Sequence, residues 1–249
     1  LPTRTSAEAL ARVPEQVKIV DIGGDHRYFE GWGYGLADVW PDQIKGRSRI
    51  ANPGCFPAAT LNALAPLLTH KLIEPGNIII DAKTGISGAG RGGGDSKFGY
   101  AESNENLQPY GLLKHVHMPE IAKTIEQLSG GSAAGLVFTP HLVPMTRGVL
   151  VTIYCRGTAT TEQCMDAARS FYANSPFVRV TDRPPQTKWA TGSNLSFVSY
   201  AADPERNLVI AMGVVDNLGK GAAGHAVQNA NLICGLAETA GLDGAPVWP

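Results

Sequence analysis

A chain of 249 residues, 43% hydrophobic and 17% charged, is long enough to bury a sizeable core as one large domain or two small ones. Its net charge of -1, with no basic run and no aromatic-interleaved basic stripe, argues against nucleic acid and anionic membranes as partners and in favour of small metabolites. The four cysteines, Cys55, Cys155, Cys164 and Cys234, form neither a CxxC pair nor a metal-ligand spacing, and neither a signal peptide nor an apolar window of about 18 residues is present; a reducing, intracellular setting without bound metal is expected.

Thr5-Ser6-Ala7-Glu8 has capping-box spacing ahead of Ala9, Leu10 and Val13 and predicts a helix, after which residues 17–22 read as a buried strand ending in Gly23-Gly24. Residues 31–35 make a glycine and aromatic loop. Asn52-Pro53-Gly54-Cys55 then forms a rigid turn at the mouth of a helix over 56–72, whose Leu61, Leu64, Ala65, Leu68 and Leu72 share one face. Pro66 has no N–H for the Asn62 carbonyl, so a kink or an end is expected there. Residues 77–82 are a short apolar run typical of a strand covered on both faces, and 83–94 are too rich in glycine for regular structure. Pro119 opens a helix with Ile121, Ile125 and Leu128 on one side; residues 136–138 and 149–155 read as strands flanking a turn over 140–147. Thr160 and Gln163 form a second capping box ahead of Cys164, Ala167, Ala168 and Phe171, which makes Cys164 a core residue. Two more strands, 195–201 and 208–215, precede a small-residue helix from about 222 to 235. The pattern is α/β at both ends with a strand-rich middle.

Cys55 stands out chemically. A thiol at a helix N-terminus faces unpaired backbone N–H groups and the positive end of the helix dipole, which favour thiolate. It is therefore expected to have a lowered pKa and to be alkylated before the other three cysteines. His115 and His117, two apart before the Pro119 helix, share one face in extended geometry and supply a candidate base. Two histidines and a carboxylate also suit zinc, but no thiolate or HExxH arrangement supports a metal. Arg27 and Arg147 are candidates for phosphate or carboxylate, which guanidinium meets with paired hydrogen bonds.

Five ordered motifs carry a family resemblance: Asn52-Pro53-Gly54-Cys55-Phe56-Pro57, Ser87-Gly88-Ala89-Gly90-Arg91, His115-x-His117-x-Pro119-Glu120-Ile121, Thr139-Pro140-His141, and Asp216-Asn217-Leu218-x-Lys220-Gly221-Ala222-Ala223-Gly224. Together they resemble the N-acetyl-gamma-glutamyl-phosphate reductase family, within the aspartate-semialdehyde dehydrogenase-like group. The resemblance implies an α/β fold: a remnant of a Rossmann-like nucleotide-binding domain over residues 1–52, an α+β catalytic and dimerisation domain with a mixed sheet over 53–216, and a C-terminal helix in 217–249 returning to the first unit. It implies an NADPH-dependent, cytoplasmic homo-oligomer of arginine biosynthesis (organellar if eukaryotic). In that chemistry Cys55 attacks an acyl phosphate, phosphate leaves, and the thioester is reduced to an aldehyde. His117 is then the acid/base, His115, Tyr110 and Glu120 shape the substrate site, and Ser87, Gly88, Ala89, Gly90, Asn217 and Lys220 surround NADP(H).

Four departures qualify this, one being a stretch from His26 to Trp40 shorter than in many of the family. Val116 stands where the family carries arginine, His225 where glutamine is expected, and Thr3-Arg4 where His-Gly follows Leu-Pro. No glycine-rich phosphate turn precedes Val17, so the chain reads as lacking a first several dozen residues. The alternatives are a truncated relative that binds a metabolite or partner without turnover, and a reductase for carrier-bound aminoadipyl phosphate or aspartyl phosphate.

Overall fold

The structure, a computed structural model, describes residues 5–90 and 99–247. Helix α1 (Ser6–Leu10) leads into a parallel three-stranded sheet of β1 (Ile19–Asp21), β2 (Gly33–Tyr34) and β3 (Arg49–Ala51), ordered β1-β3-β2, with α2 (Pro41–Ile44) between β2 and β3. The capping box expected at Thr5 does not form. Asp25 instead accepts from the Ser6 and Ala7 N–H groups and the Ser6 hydroxyl, so a distant carboxylate caps the helix.

The chain then enters α3 (Cys55–Thr69), β4 (Ile78–Thr84), α4 (Tyr100–Ser103), β5 (Gln108–Pro109), α5 (Met118–Ser129), β6 (Val137–Leu142), β7 (Val149–Cys155), α6 (Thr161–Phe171), β8 (Val178–Val180), α7 (Thr187–Ala190), β9 (Ser196–Asp203), β10 (Leu208–Val215) and α8 (Gly224–Cys234). Strands β5-β6-β4-β7-β10-β9-β8 form one mixed sheet, in which the β4–β6 and β8–β9 pairs are parallel. Helix α3 lies along one face of it between α5 and α6, and is buried on nearly every side, as an all-round apolar helix must be. On the opposite face Ile79, Val137 and Tyr154, which sit side by side across β6, β4 and β7, are exposed. Helix α8 returns to the small sheet, where Leu232 and Ile233 pack with Ala37, Ile44 and Ile50.

Pro66 neither ends nor stops α3. The Asn62 carbonyl it leaves without a helical donor accepts from the Tyr172 hydroxyl at 2.7 Å, and that tertiary bond replaces the local one. Pro140 likewise lies inside β6 rather than in the turn expected from 140, beside the two-residue β5 where the sheet needs few donors. The capping box at Thr160 and Gln163 forms as expected, and Cys164 is fully buried. Residues 86–89 of the glycine-rich segment wind into a short 3₁₀ turn; Arg91 and the glycines 92–94 lie outside the described residues.

Candidate active site

Cys55 is the first residue of α3, and Gly54 before it is extended, at φ -72° and ψ 164°. Asn52 fixes this turn from three directions. Its N–H donates to the Asp21 carbonyl at the end of β1, its Nδ2 to the Ala222 carbonyl, and its Oδ1 accepts from Asn229 of α8. Beside the turn opens a cavity of about 560 Å³, lined by Cys55, His117, Arg27, Glu120, Gly88 and Asn217 among others.

Glu120 is the hub beneath the cysteine. Its Oε1 accepts from the Gly54 N–H at 3.0 Å and the Tyr34 hydroxyl at 2.7 Å, and its Oε2 from Arg27 at 2.7 Å. Arg27 also donates to the Asn52 carbonyl, so one ion pair binds the small sheet, the cysteine turn and α5 together. Burial lifts the Glu120 carboxyl above the ordinary range, while Arg27, Tyr34 and the Gly54 N–H pull it back. Glu120→Ala strands three donors in a buried place. We expect it to cost about 3–5 kcal/mol of stability, read by urea unfolding; a loss below about 1 kcal/mol, the scale of an exposed pair, would contradict this account.

His117 packs against the bare α-carbon of Gly54, where any side chain would strike its imidazole. Burial, helped by Arg27 and His115, pushes His117 well below the usual histidine value and keeps the ring neutral. Its Nδ1 is buried without a partner among the described residues. His115 accepts the His117 N–H on Nδ1 and stacks edge-on between Tyr110, Phe56 and Phe138; burial lowers it to about 4. His115 and Tyr110 thus stand behind His117 and do not line the cavity.

The expectation of a lowered thiol pKa is corrected. Burial pushes Cys55 up to about 11, and the Phe56 N–H, Arg27 and its own N–H only partly offset this. Near the cavity floor desolvation outweighs the helix terminus, so the resting pair is a neutral thiol and a neutral imidazole. The order of labelling changes too. Cys234 is exposed at the end of α8, while Cys155 and Cys164 are buried. Iodoacetamide is expected to reach Cys234 first, Cys55 second and the core pair last, with the Cys55 rate rising about tenfold per pH unit toward about 11; a plateau below pH 8 would overturn this.

Other candidates are divided. Gly88 and Asn217 line the cavity, Asn217 held by donating to the Ser87 hydroxyl at 2.9 Å and accepting from the Gly148 N–H at 2.7 Å. Ala89 ends that 3₁₀ turn and Gly90 follows it at φ 70°, and neither lines the cavity. Arg147 faces a different cavity of about 370 Å³, its guanidinium 4.0 Å from Asp216. Lys220 is fully buried and paired with Asp38, so its ammonium is unavailable to a cofactor. Asn52, Leu218 and Gly221 entered only as members of motifs without a role, and Tyr34 and Lys123 were not picked out as site residues. Of these Lys123 had a signal, since it follows Glu120 by three residues on the same helical face. Among the described residues no group of three or more histidine, cysteine or acidic side chains is arranged for a metal.

The family described as semialdehyde dehydrogenase, dimerisation domain, matches residues 55–217. All 249 residues align at 84% identity with the N-acetyl-gamma-glutamyl-phosphate reductase of Methylobacterium sp. (strain 4-46), covering 77% of that protein. The reductase of the same name from Bradyrhizobium sp. (strain ORS 278) is 80% identical over 249 residues, with 76% of it covered. Aspartate semialdehyde dehydrogenase II from Vibrio cholerae shares the fold at a TM-score of 0.72 and 22% identity, over 90% of this chain and 76% of that one.

Proposed function

Because the chain belongs to the N-acetyl-gamma-glutamyl-phosphate reductase family, we propose that the cavity at Cys55 reduces N-acetyl-gamma-glutamyl phosphate to its semialdehyde through a cysteine thioester, with NADPH as reductant. The protein is an aldehyde-forming oxidoreductase of arginine biosynthesis. The observation that carries the mechanism is the cavity itself, which joins a helix-terminal thiol, a neutral imidazole and a guanidinium in one space.

In this reading the Cys55 sulfur bonds to the acyl carbon while His117 takes the thiol proton, and the bond to the phosphate oxygen breaks. Arg27 faces the departing phosphate, and Glu120 holds the guanidinium in place. The hydride that reduces the thioester would come from NADPH when it is bound. His117 then returns its proton to the sulfur as the carbon–sulfur bond breaks and the aldehyde leaves. Gly88, Asn217, Gly221 and Ala222 would hold the cofactor's reacting end: they offer a wall of backbone and small side chains, and the Asn217 amide is already fixed.

Residues 1–52 with α8 are read as belonging to the nucleotide-binding unit, residues 53–216 as the catalytic one. Two copies would pair through the open sheet face around Ile79, Val137 and Tyr154, consistent with the matched dimerisation family. A cytoplasmic place is proposed from the family's role in arginine biosynthesis; among the described residues no helix is long and apolar enough to cross a membrane.

The test follows phosphate-dependent NADP reduction by N-acetylglutamate semialdehyde with the full-length protein. Turnover that requires phosphate is expected; turnover with aspartate semialdehyde alone would overturn the substrate assignment.

A further inference from the structure

We propose that Lys220 is a positioning residue: its buried pair with Asp38 locks the turn that holds Gly221 against Cys55, and so sets the direction of the nucleophile. The proposal rests on the thioester reading and concerns the same site.

Residues Gly219–Ala223 form a π-helical turn. Its bonds run from the Gly221 N–H to the Asp216 carbonyl at 2.8 Å and from the Ala223 N–H to the Leu218 carbonyl at 2.9 Å. Such turns are rare and persist where surrounding structure enforces them. This one has two working sides. Toward the cavity, a Cβ on Gly221 would stand 2.8 Å from the Cys55 Cβ, and the Ala222 carbonyl accepts from Asn52. Away from it, the Lys220 chain enters the core, where its ammonium meets Asp38 at 2.5 Å, Gln228, and the face of Phe177 at 4.9 Å.

Both charges are fully buried, and their surroundings are built for them. Asp38 also accepts from Asn62, Ser175 and Gln228, and Gln228 from Asn194. Burial alone would lift the Asp38 carboxyl, and the ammonium beside it brings it below its ordinary value. A buried ion pair adds little stability over an apolar pair of the same shape; its best attested use is to fix register. Here the register is that of a turn with one residue more than an α-helix holds. Relaxation to an α-turn would rotate the following chain by about 100° and carry Gly221 off the cysteine.

Lys220→Met, Asp38→Asn and their double variant are made in the full-length protein carrying Cys234→Ser, which removes the exposed thiol. Thermal melting, kcat, KM and the alkylation rate of Cys55 are measured. The double variant leaves no unpaired charge, so it is expected to melt near the parent while kcat falls about 10- to 100-fold at little-changed KM. Its Cys55 alkylation rate shifts as well. A folded double variant with parental kcat and alkylation rate overturns the proposal. Gln228→Met guards against failure to fold: it removes the amide that accepts from Lys220 and donates to Asp38, keeps both charges, and must lower kcat in the same sense, so a parental kcat there counts against the proposal too. A parent without reductase activity defeats the thioester reading alone, because alkylation still reports the position of Cys55.

Discussion

Cys55→Ala is expected to lower kcat by about 10⁴-fold or more, since nucleophile removal in enzymes acting through a covalent intermediate leaves only binding and electrostatic effects. No other thiol can take over. Cys155 and Cys164 are enclosed in the core, and Cys234 stands at the far end of α8. The substitution removes little volume from a partly exposed position, so the melting temperature should stay close to the parent. Near-parental turnover in the alanine variant would sink the thioester mechanism. Cys55→Ser gives a finer reading: serine retains an oxygen nucleophile but its ester is a poorer hydride acceptor, so it is expected to be nearly as inactive.

His117→Ala is the second large effect, at about 10²- to 10⁴-fold in kcat. A thiol held up at about 11 is almost wholly protonated near neutrality, so attack depends on a neighbour that removes the proton as the bond forms. We propose His117 as that neighbour: it lines the same cavity, and burial and the Arg27 charge keep it neutral and accepting. The sign of its pH dependence follows. A base with a depressed pKa loses function only when pH falls through the lowered value, so the parent's activity should hold between pH 7.5 and 6.5, where a histidine titrating near the ordinary 6.5 would already lose it. A decline centred at 6.5 would mean that His117 is solvated as an ordinary histidine. Loss of less than about tenfold in the alanine variant would assign the proton to another group.

The expectations that held came from short-range signals. Asn52-Pro53-Gly54-Cys55 marks its turn by residue type, and the Thr160 and Gln163 cap is closed within four residues, so neither needs the rest of the chain. Apolar runs marked the strands, while the mixed sheet was what the resemblance implied; the strand at 77–82, expected to be covered on both faces, leaves Ile79 exposed because α3 and its flanking helices cover the other face. The site is harder. Arg27 and Glu120 meet across 93 positions, and Tyr34 and Glu120 across 86, separations at which composition carries no signal. Glu120 was expected to face substrate, yet its two oxygens are taken by Arg27, Tyr34 and the Gly54 N–H.

By itself the sequence singled out Cys55 as the candidate nucleophile, placed a helix start on it, set two histidines near one another, and showed which family the motifs resemble. Tertiary structure alone decided that Pro66 stays inside its helix because Tyr172 satisfies Asn62, that Lys220 turns inward to Asp38, and that the thiol is raised and not lowered. The division has one cause. Turns and caps are settled by neighbours along the chain, whereas a pKa and a side chain's partner depend on desolvation and on charges brought close by folding.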